Sequence, residues 1–351
     1  MMKKLTAVTV LLLVLGAAVF AEDAKVMPMM VGRVYAAPTY AFALGAYDKD
    51  GTYKKFPSGS VKVFNLGFAV EYGVIDWITA AVQWAPGWTV WSDLEAVSGR
   101  KDSNTNGVAD LFVGAKIQLV GEKAPVKTPM FRLSIAPGVI IPLPGPDFAK
   151  ETTKAPSEKA TLQSMDNHAF AAGARVYFDW IINKSFFINL YNETLFYPIA
   201  QDLAKAGPDL AIMKIRTPFT NATGEVKYKY KLTFELEPVY TMAIADGISF
   251  SAGLPVNFKY VPAYDYSISS GTGSALMDAA ALTTFKTNFA RLDPALTLSV
   301  KPNVSVFFTK TPLPLEFKLQ YGLPVWGKNV GAAQHQVTLQ IKAYFAIPKS
   351  K

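Results

Sequence analysis

Histidine, the usual general base of hydrolases, occurs twice in the 351-residue sequence, as His168 and His335. A serine hydrolase would place one of them beside a nucleophilic serine, and the sequence contains no Gly-x-Ser-x-Gly elbow. Neither histidine has a distinctive pattern of neighbours, so we interpret both as polar residues at the start of strands. The sequence predicts no catalytic residue and no enzyme.

One polar stretch, residues 102–107, resembles the start of a calcium-binding loop. Asp102, Asn104 and Asn106 alternate there before a glycine, as the ligands of an EF-hand loop do. Position twelve of such a loop would be Val113, where the loop needs a bidentate glutamate. Cysteine is absent from the sequence, which excludes disulfides and thiolate metal sites. The sequence therefore predicts no metal site and no cofactor.

The other candidates are charged residues that alternate with apolar ones. In residues 225–240 every second side chain from Val226 to Leu236 is apolar or aromatic, and mostly Lys and Glu lie between them. This period of two is typical of a β-strand whose faces meet different surroundings. Lys and Arg outnumber Asp and Glu by 35 to 27. Because no basic helix or stacking module gathers them, nucleic-acid binding is not predicted.

The same alternation recurs along the whole chain, in segments of about 10–15 residues that suit strands tilted across a bilayer. Short turns alternate with long loops rich in Gly, Ser, Asp and Asn. The pattern predicts an all-β fold, a transmembrane antiparallel β-barrel of about 12 strands with 14 as the alternative. The predicted strands are about 31–45, 61–73, 77–90, 107–120, 129–143, 167–180, 185–197, 225–244, 248–261, 289–300, 304–325 and 335–347.

One predicted strand, 304–325, does not keep its alternation. Its apolar residues are even-numbered up to Phe308 and odd-numbered from Leu315 onwards. A β-bulge within residues 311–314, which contain two prolines, would explain the slip. We also expect a tight turn at residues 301–303. Two separate strands would raise the count towards 14.

The first residues predict export. Lys3 and Lys4 precede a short apolar run, and Val19-Phe20-Ala21 is a suitable cleavage site. We therefore expect residues 1–21 to be a signal peptide and residues 22–351 to form one outer-membrane β-barrel. The layout predicts periplasmic termini and extracellular long loops. The expected partners are outer-membrane lipid, a small-molecule solute and, during biogenesis, the barrel-assembly machinery.

Residues 106–145 carry a recognisable pattern. Gly107 and Asp110 begin a strand, Gly114 and Lys116 lie within it, and a Pro-x-Pro-Gly stop follows at 142–145. This pattern resembles the outer-membrane transporters of the meta-pathway of phenol degradation. That family is related in architecture to the long-chain fatty-acid transporter barrels. The resemblance implies uptake of small, rather hydrophobic molecules across an outer membrane.

Alternation also predicts which charges face the lumen, because a Lys or Arg on the lipid face costs about 2–4 kcal/mol near the midplane. These residues either fill the barrel as paired structural charges or line a selective path. The candidate pore-lining residues are Glu71, Lys116, Arg132, Arg175, Asp179, Glu193, Lys227, Lys229, Lys231, Glu235, Glu237 and Lys259.

Two segments could block such a path. Residues 267–289 include a possible short helix around 275–285 and form either a lumenal lid or an exposed flexible loop. For the methionine-rich mature N-terminus we expect a disordered tail, with a plug as the alternative. Three functions fit the sequence: a channel for small hydrophobic or aromatic molecules, a general porin with weak anion preference, or a surface structural or adhesive barrel.

Overall fold

The strands of the chain form one closed barrel. The computed structural model describes residues 23–94, 96, 104–105, 107–143, 161–162, 167–203, 213–214, 217–288 and 292–346. Within these ranges twelve strands span the barrel, which confirms the predicted fold class and the count of twelve. None of the described helices is long and apolar enough to cross a membrane. The expected signal peptide lies outside the described residues.

We number the spanning strands β1 to β12 in chain order. Each pairs antiparallel with its neighbours in the chain, and β1 pairs with β12 from Val31 opposite Ala346 to Ala43 opposite Gln334. β9 and β10 each consist of two segments. The strands are Val31–Ala43, Val61–Ile75, Ile78–Asp93, Leu111–Val120, Phe131–Ile141, Ala171–Ile181, Phe186–Tyr197, Lys229–Ala245, Ile248–Gly253 with Val256–Val261, Ala295–Val300 with Asn303–Phe308, Leu315–Lys328 and Gln334–Ala346.

The boundary between β10 and β11 differs from the expected one. The tight turn predicted at residues 301–303 is wrong, because β10 resumes at Asn303 and runs on to Phe308. Pro302 lacks an amide hydrogen, but its carbonyl accepts from the amide of Tyr321 at 3.0 Å, so pairing continues across the break. The chain reverses instead at 309–314, where a bulge was expected. The slip in alternation therefore marks two strands.

The wall of the barrel is apolar outside and polar inside. Adjacent residues of β8 show the contrast, since Phe234 is 43% exposed while Glu235 is 1% exposed. Similar outward apolar side chains recur on β2, β11 and β12, including Phe68, Leu319 and Val337. A surface of this kind is suited to hydrocarbon, and a closed ladder leaves no unpaired strand edge within it.

The connections separate into two ends, as the sequence predicted. Short connections join strands at 76–77, 121–130, 182–185, 246–247 and 309–314, and we call this side the short-turn end. Longer segments leave the opposite side, the long-loop end. Residues 23–30 and the last residues of β12 lie at the short-turn end.

Several loops fold together into a cap at the long-loop end. Its sheet consists of Gln201–Asp202, Thr223–Lys227 and Asp265–Ser269, and helix α1, Ala275–Asn288, packs against the last of these strands. The helix predicted around 275–285 is thus confirmed. The cap has its own buried apolar core, which includes Phe219, Tyr228, Tyr264, Ile268 and Phe285. The described part of this segment, residues 267–288, is packed into the cap and does not form the exposed flexible loop that was one expectation for residues 267–289.

Polar contacts fix the start of α1 within the cap. The carboxylate of Asp278 accepts hydrogen bonds from the amide of Ser270 at 2.6 Å and from its hydroxyl at 2.7 Å. These bonds lower the pKa of Asp278 below its ordinary value, because they favour the ionised carboxylate. The loop before the helix is thereby tied to the helix.

The outward face of β8 offers a test of the membrane assignment. Replacing Leu236, near the middle of that strand, with Arg should lower the free energy of unfolding in lipid vesicles by about 2–4 kcal/mol. The measurement is a denaturant titration of protein folded into vesicles. As a control, Leu276→Arg changes an exposed cap residue and should cost about 0.5 kcal/mol or less. Equal effects at the two positions would contradict a lipid-facing β8.

Candidate functional site

The lumen holds the first described residues of the chain. Residues 23–30, which we call the plug, lie inside the barrel at the short-turn end. Ala24 is fully buried. Its amide donates to both carboxylate oxygens of Asp179, at 3.2 and 3.1 Å. Its carbonyl accepts from Ser134 Oγ at 2.6 Å and Gln118 Nε2 at 2.9 Å. The expected disordered tail is therefore wrong for this segment.

Further contacts tie the plug to the wall. The amide of Met27 donates to Thr79 Oγ1 at 2.8 Å, and the amide of Met29 donates to Asp76 Oδ1 at 3.1 Å. The wall thus binds the plug mainly through plug backbone atoms. Recognition through the backbone leaves no pattern of plug side chains, so the sequence supported a plug only as the alternative to a disordered tail. The one feature of the sequence that could have indicated the docking point was the small side chain of Ala24, since a small residue lets the plug backbone approach the wall closely.

Asp179 anchors the plug because neighbouring strands hold its carboxylate in place. Arg132 on β5 and Asn189 on β7 lie directly opposite Asp179 in the strand pairing. Arg132 Nε lies 2.8 Å from one carboxylate oxygen, and Asn189 Nδ2 donates to the other at 2.8 Å. Opposite-charge pairs at directly opposed positions stabilise a sheet. Alternation correctly placed Arg132 and Asp179 on the inner face.

A second set of polar side chains crosses the lumen. On β1 to β3, Arg33 Nε donates to Glu71 at 3.0 Å and Gln83 Nε2 donates to the same carboxylate at 3.1 Å. Arg175 on β6 donates to the side-chain oxygen of Gln83 and, through Nε, to Glu193 at 2.6 Å. Because β3 and β6 are not neighbours, the bond between Gln83 and Arg175 bridges the barrel interior. We call these five residues the cross-lumen network.

The predicted inward residues of β8 and β9 form a separate group. Glu235 accepts from Asn257 Nδ2 at 2.8 Å and lies 3.4 Å from Lys301 Nζ. Glu237 accepts from Asn303 Nδ2 at 2.8 Å. Lys301 was missed because residues 301–303 were predicted to be a turn. Arg33 and Gln83 were missed although alternation places both on inward positions.

Two of the candidate lysines do not line the barrel interior. Lys229 has a positive φ of 64°, which switches the faces of the chain at the start of β8. As a result Tyr228, which belongs to the apolar face of the predicted strand 225–244, is buried in the cap core. Lys227 is exposed beside it, and Lys229 forms a 2.9 Å ion pair with Asp265 at the long-loop end. Lys231 and Lys259 follow the switch and lie half-buried on inward positions.

A small cavity, which we call the chamber, lies between part of the plug and the wall. Its lining includes Met27, Phe112, Lys116, Arg175 and Tyr177. Lys116 Nζ lies 3.9 Å from the centroid of the Tyr177 ring, and the Arg175 guanidinium carbon lies 3.8 Å from that of Phe112. Both contacts are within the range of cation–π interactions. Glu71 also lines the chamber, which therefore combines aromatic rings with charges of both signs.

The cap reaches the inner face of the barrel mouth. Tyr197 at the end of β7, Val261 at the end of β9 and Ala295 at the start of β10 hold inward positions and pack on the cap core. A second apolar cluster, which includes Ala43, Val61 and Leu94, lies on the opposite side of the mouth. The long-loop end is thus lined by apolar side chains, while the middle of the lumen is polar.

The two histidines lie away from the chamber. His168, just before β6, lies 3.4 Å from Asp110, and its Nδ1 is 2.9 Å from the carbonyl oxygen of Leu143. His335 stacks on Phe42 with ring centroids 4.9 Å apart, and its Nδ1 is 2.8 Å from the Tyr321 hydroxyl. Both therefore take part in contacts at the long-loop side of the wall.

Comparison with known proteins supports the fold. No family model and no curated protein matches the chain. A solved outer-membrane channel from Pseudomonas putida F1 matches with a TM-score of 0.59 and 15% sequence identity, covering 93% of this chain and 100% of that chain. At this identity the likeness establishes the fold alone.

Two further solved structures match less well. The P. putida toluene transporter TodX matches with a TM-score of 0.40 and 6% identity over 92% of each chain. The monoaromatic hydrocarbon channel CymD matches with a TM-score of 0.36 and 10% identity, over 92% of this chain and 89% of that chain. Both TM-scores are too low to support a conclusion about this chain.

The anchor of the plug gives the second prediction. Asp179→Asn leaves Arg132 in the wall without its carboxylate, so the free energy of unfolding should fall by about 3–5 kcal/mol. Asp246→Asn is the matched control, because Asp246 pairs with Lys310 on the surface and should cost about 0–1 kcal/mol. Denaturant titrations of both variants in vesicles provide the measurement. A loss at Asp179 no larger than that at Asp246 would show that the buried pair is not needed.

Proposed function

We propose that this protein is an outer-membrane channel for the uptake of small hydrophobic or aromatic molecules, and that the plug closes it at rest. The observation that carries the proposal is the plug docked against a chamber whose wall presents Phe112 and Tyr177. The barrel likeness to a solved outer-membrane channel supports a transport role. The sequence resemblance to transporters of phenol degradation supports the solute class.

We place the protein in an outer membrane with the short-turn end in the periplasm and the long loops outside. The alternation of short turns and long loops supports this orientation. A plug that follows a cleaved leader would then enter the lumen from the periplasmic side. The outward apolar face contacts lipid, and folding into the membrane requires the barrel-assembly machinery.

A wide, unselective porin fits the lumen less well. The bond between Gln83 and Arg175 joins strands that are not neighbours, and the plug occupies the short-turn end. Most inward charges are paired within the wall, as Arg33 with Glu71 and Arg175 with Glu193. These ion pairs therefore stabilise the side chains that occupy the lumen. On this proposal transport involves no bond-making chemistry.

Removal of the plug tests the resting state. Deleting residues 24–29, which keeps Glu22 and Asp23 for leader processing, should raise single-channel conductance in planar bilayers several-fold. The physical reason is that the deletion removes the segment bound to Asp179, Ser134 and Thr79. Met29→Ala, which trims an exposed plug side chain, should leave conductance unchanged. A large, steady conductance of the intact protein would contradict a plug that closes the channel.

The solute class needs its own measurement. Cells with the protein in their outer membrane should take up the hydrophobic fluorophore N-phenylnaphthylamine several times faster than matched cells without it. Uptake of a neutral hexose should rise much less, because the apolar mouth offers a sugar few polar partners. Equal stimulation of both solutes would favour a general porin.

A further inference from the structure

The contact between the plug and Lys116 differs from the other ion contacts near the chamber. Among the described residues, Arg33, Arg132 and Arg175 each contact a carboxylate of the wall. The Nζ of Lys116 instead donates to two plug carbonyl oxygens, that of Asp23 at 3.0 Å and that of Lys25 at 3.4 Å. The hydrogen-bond acceptors of Lys116 therefore belong to the part of the chain that blocks the path.

Two neighbouring donors depend on the plug in the same way. The hydroxyl of Ser134, a fully buried residue, and Nε2 of Gln118 both donate to the carbonyl oxygen of Ala24. If the plug withdraws, these two groups and Lys116 lose the plug's acceptors together. Water can hydrogen-bond to the vacated donors, but a hydrogen bond to an ionised acceptor is stronger than one to a neutral acceptor. An incoming group with negatively charged acceptor oxygens would therefore bind these donors more strongly than water does.

Asp179 indicates that a ligand at the undocked site does not have to bring a hydrogen-bond donor. Its carboxylate keeps the ion pair with Arg132 and the hydrogen bond from Asn189 when the amide of Ala24 leaves. The undocked site therefore needs acceptors and has no comparable need for a donor. A carboxylate supplies acceptors alone, whereas an amino acid would also bring an ammonium group.

An apolar slot lies beside the three donors. The methyl group of Ala24 packs there against Ala136, Tyr177 and Tyr191. The rings of Tyr177 and Tyr191 are 5.1 Å apart between centroids and tilted at 56°. Lys116 Nζ lies over the Tyr177 ring, so withdrawal of the plug uncovers the parts of the two rings that Ala24 covers. Because aromatic rings pair favourably in offset or tilted arrangements, an aromatic ring is the apolar group that we expect there.

We propose that the docking site of the plug is also a binding site for a small aromatic carboxylate, which competes with the plug for Lys116, Ser134 and Gln118. The carboxylate takes the place of the plug carbonyl oxygens, and the ring takes the place of Ala24. This inference rests on the proposed function, in which the plug closes the channel. It adds that an anionic aromatic solute opens its own path by displacing the plug.

The absence of cysteine from the sequence permits a direct test. In an Ala24→Cys protein the thiol is buried while the plug is docked, so its labelling rate by a hydrophilic maleimide reports undocking. The probes are benzoate, acetate and benzyl alcohol, which separate the contributions of ring and charge. Benzoate should raise the labelling rate several-fold over the ligand-free rate. Acetate and benzyl alcohol at equal concentration should raise it little.

Variants in the same reporter background identify the site. Lys116→Gln and Ser134→Ala should each abolish most of the benzoate effect, measured against each variant's own ligand-free rate. Lys231→Gln is the matched control, since Lys231 is an inward lysine opposite Leu195 and away from the plug contacts, and it should keep the full effect. Heat-modified mobility on gels confirms that each variant folds. Because the two variants remove different donors, one that fails to fold leaves the other as the test.

The outcomes of the labelling experiment distinguish a failure of the proposed binding site from a failure of the proposed channel function. If Ala24→Cys is labelled without ligand as fast as Met29→Cys, whose side chain is exposed, the plug is not docked and the proposed function fails. If Ala24→Cys is protected but benzoate does not speed labelling, only the inference is overturned. Equal effects of benzoate and benzyl alcohol, or an unchanged effect in Lys116→Gln, would also overturn it.

Discussion

The pairing of β1 with β12 is the constraint on which the rest of the structure depends. In hydrocarbon each unpaired backbone amide or carbonyl costs several kcal/mol, so a sheet can cross a membrane only if its two edges meet. The eleven residue pairs from Val31–Ala346 to Ala43–Gln334 complete that closure. Once the sheet is closed, each strand has one face towards lipid and one towards an enclosed interior. The polar residues must then occupy the interior.

That interior has to satisfy the charges it receives. Most of them are paired with residues of the wall, either directly opposite on a neighbouring strand, as Asp179 with Arg132, or one strand further along. These pairs tie strands together and are costly to break singly, because each would leave a charge in the wall without its partner. The bond between Gln83 and Arg175 extends the same principle across the lumen. The middle of the barrel is therefore both filled and stiffened by polar side chains.

Much of this could be predicted from sequence, because a period of two fixes both the strands and their faces. Where the backbone stayed regular, the structure places Glu71, Arg175 and Glu237 on the inward face that alternation gave them. The prediction failed where one residue changed the regular backbone. The positive φ of Lys229 switched the faces of the chain just before β8, and Pro302 interrupted β10 without ending it. The plug was expected only as the alternative to a disordered tail, for a different reason. Its contacts join residues about 50 to 155 positions apart and use backbone atoms, which no local pattern of side chains records.

The difference between wall and plug decides which part of the lumen can move. Wall charges are held by side chains on strands whose ladders close around the barrel, so moving one of them disturbs the sheet itself. The plug adds no strand to that sheet, and most of its contacts are single hydrogen bonds between its backbone and wall side chains. Such a bond contributes about 0.5–1.5 kcal/mol net between neutral groups and about 1.5–3 kcal/mol where one partner is charged, and water or a solute can replace it. On the proposed function, a path through this barrel would therefore open most readily by release of the plug, while the cross-lumen network would limit the size of the solute.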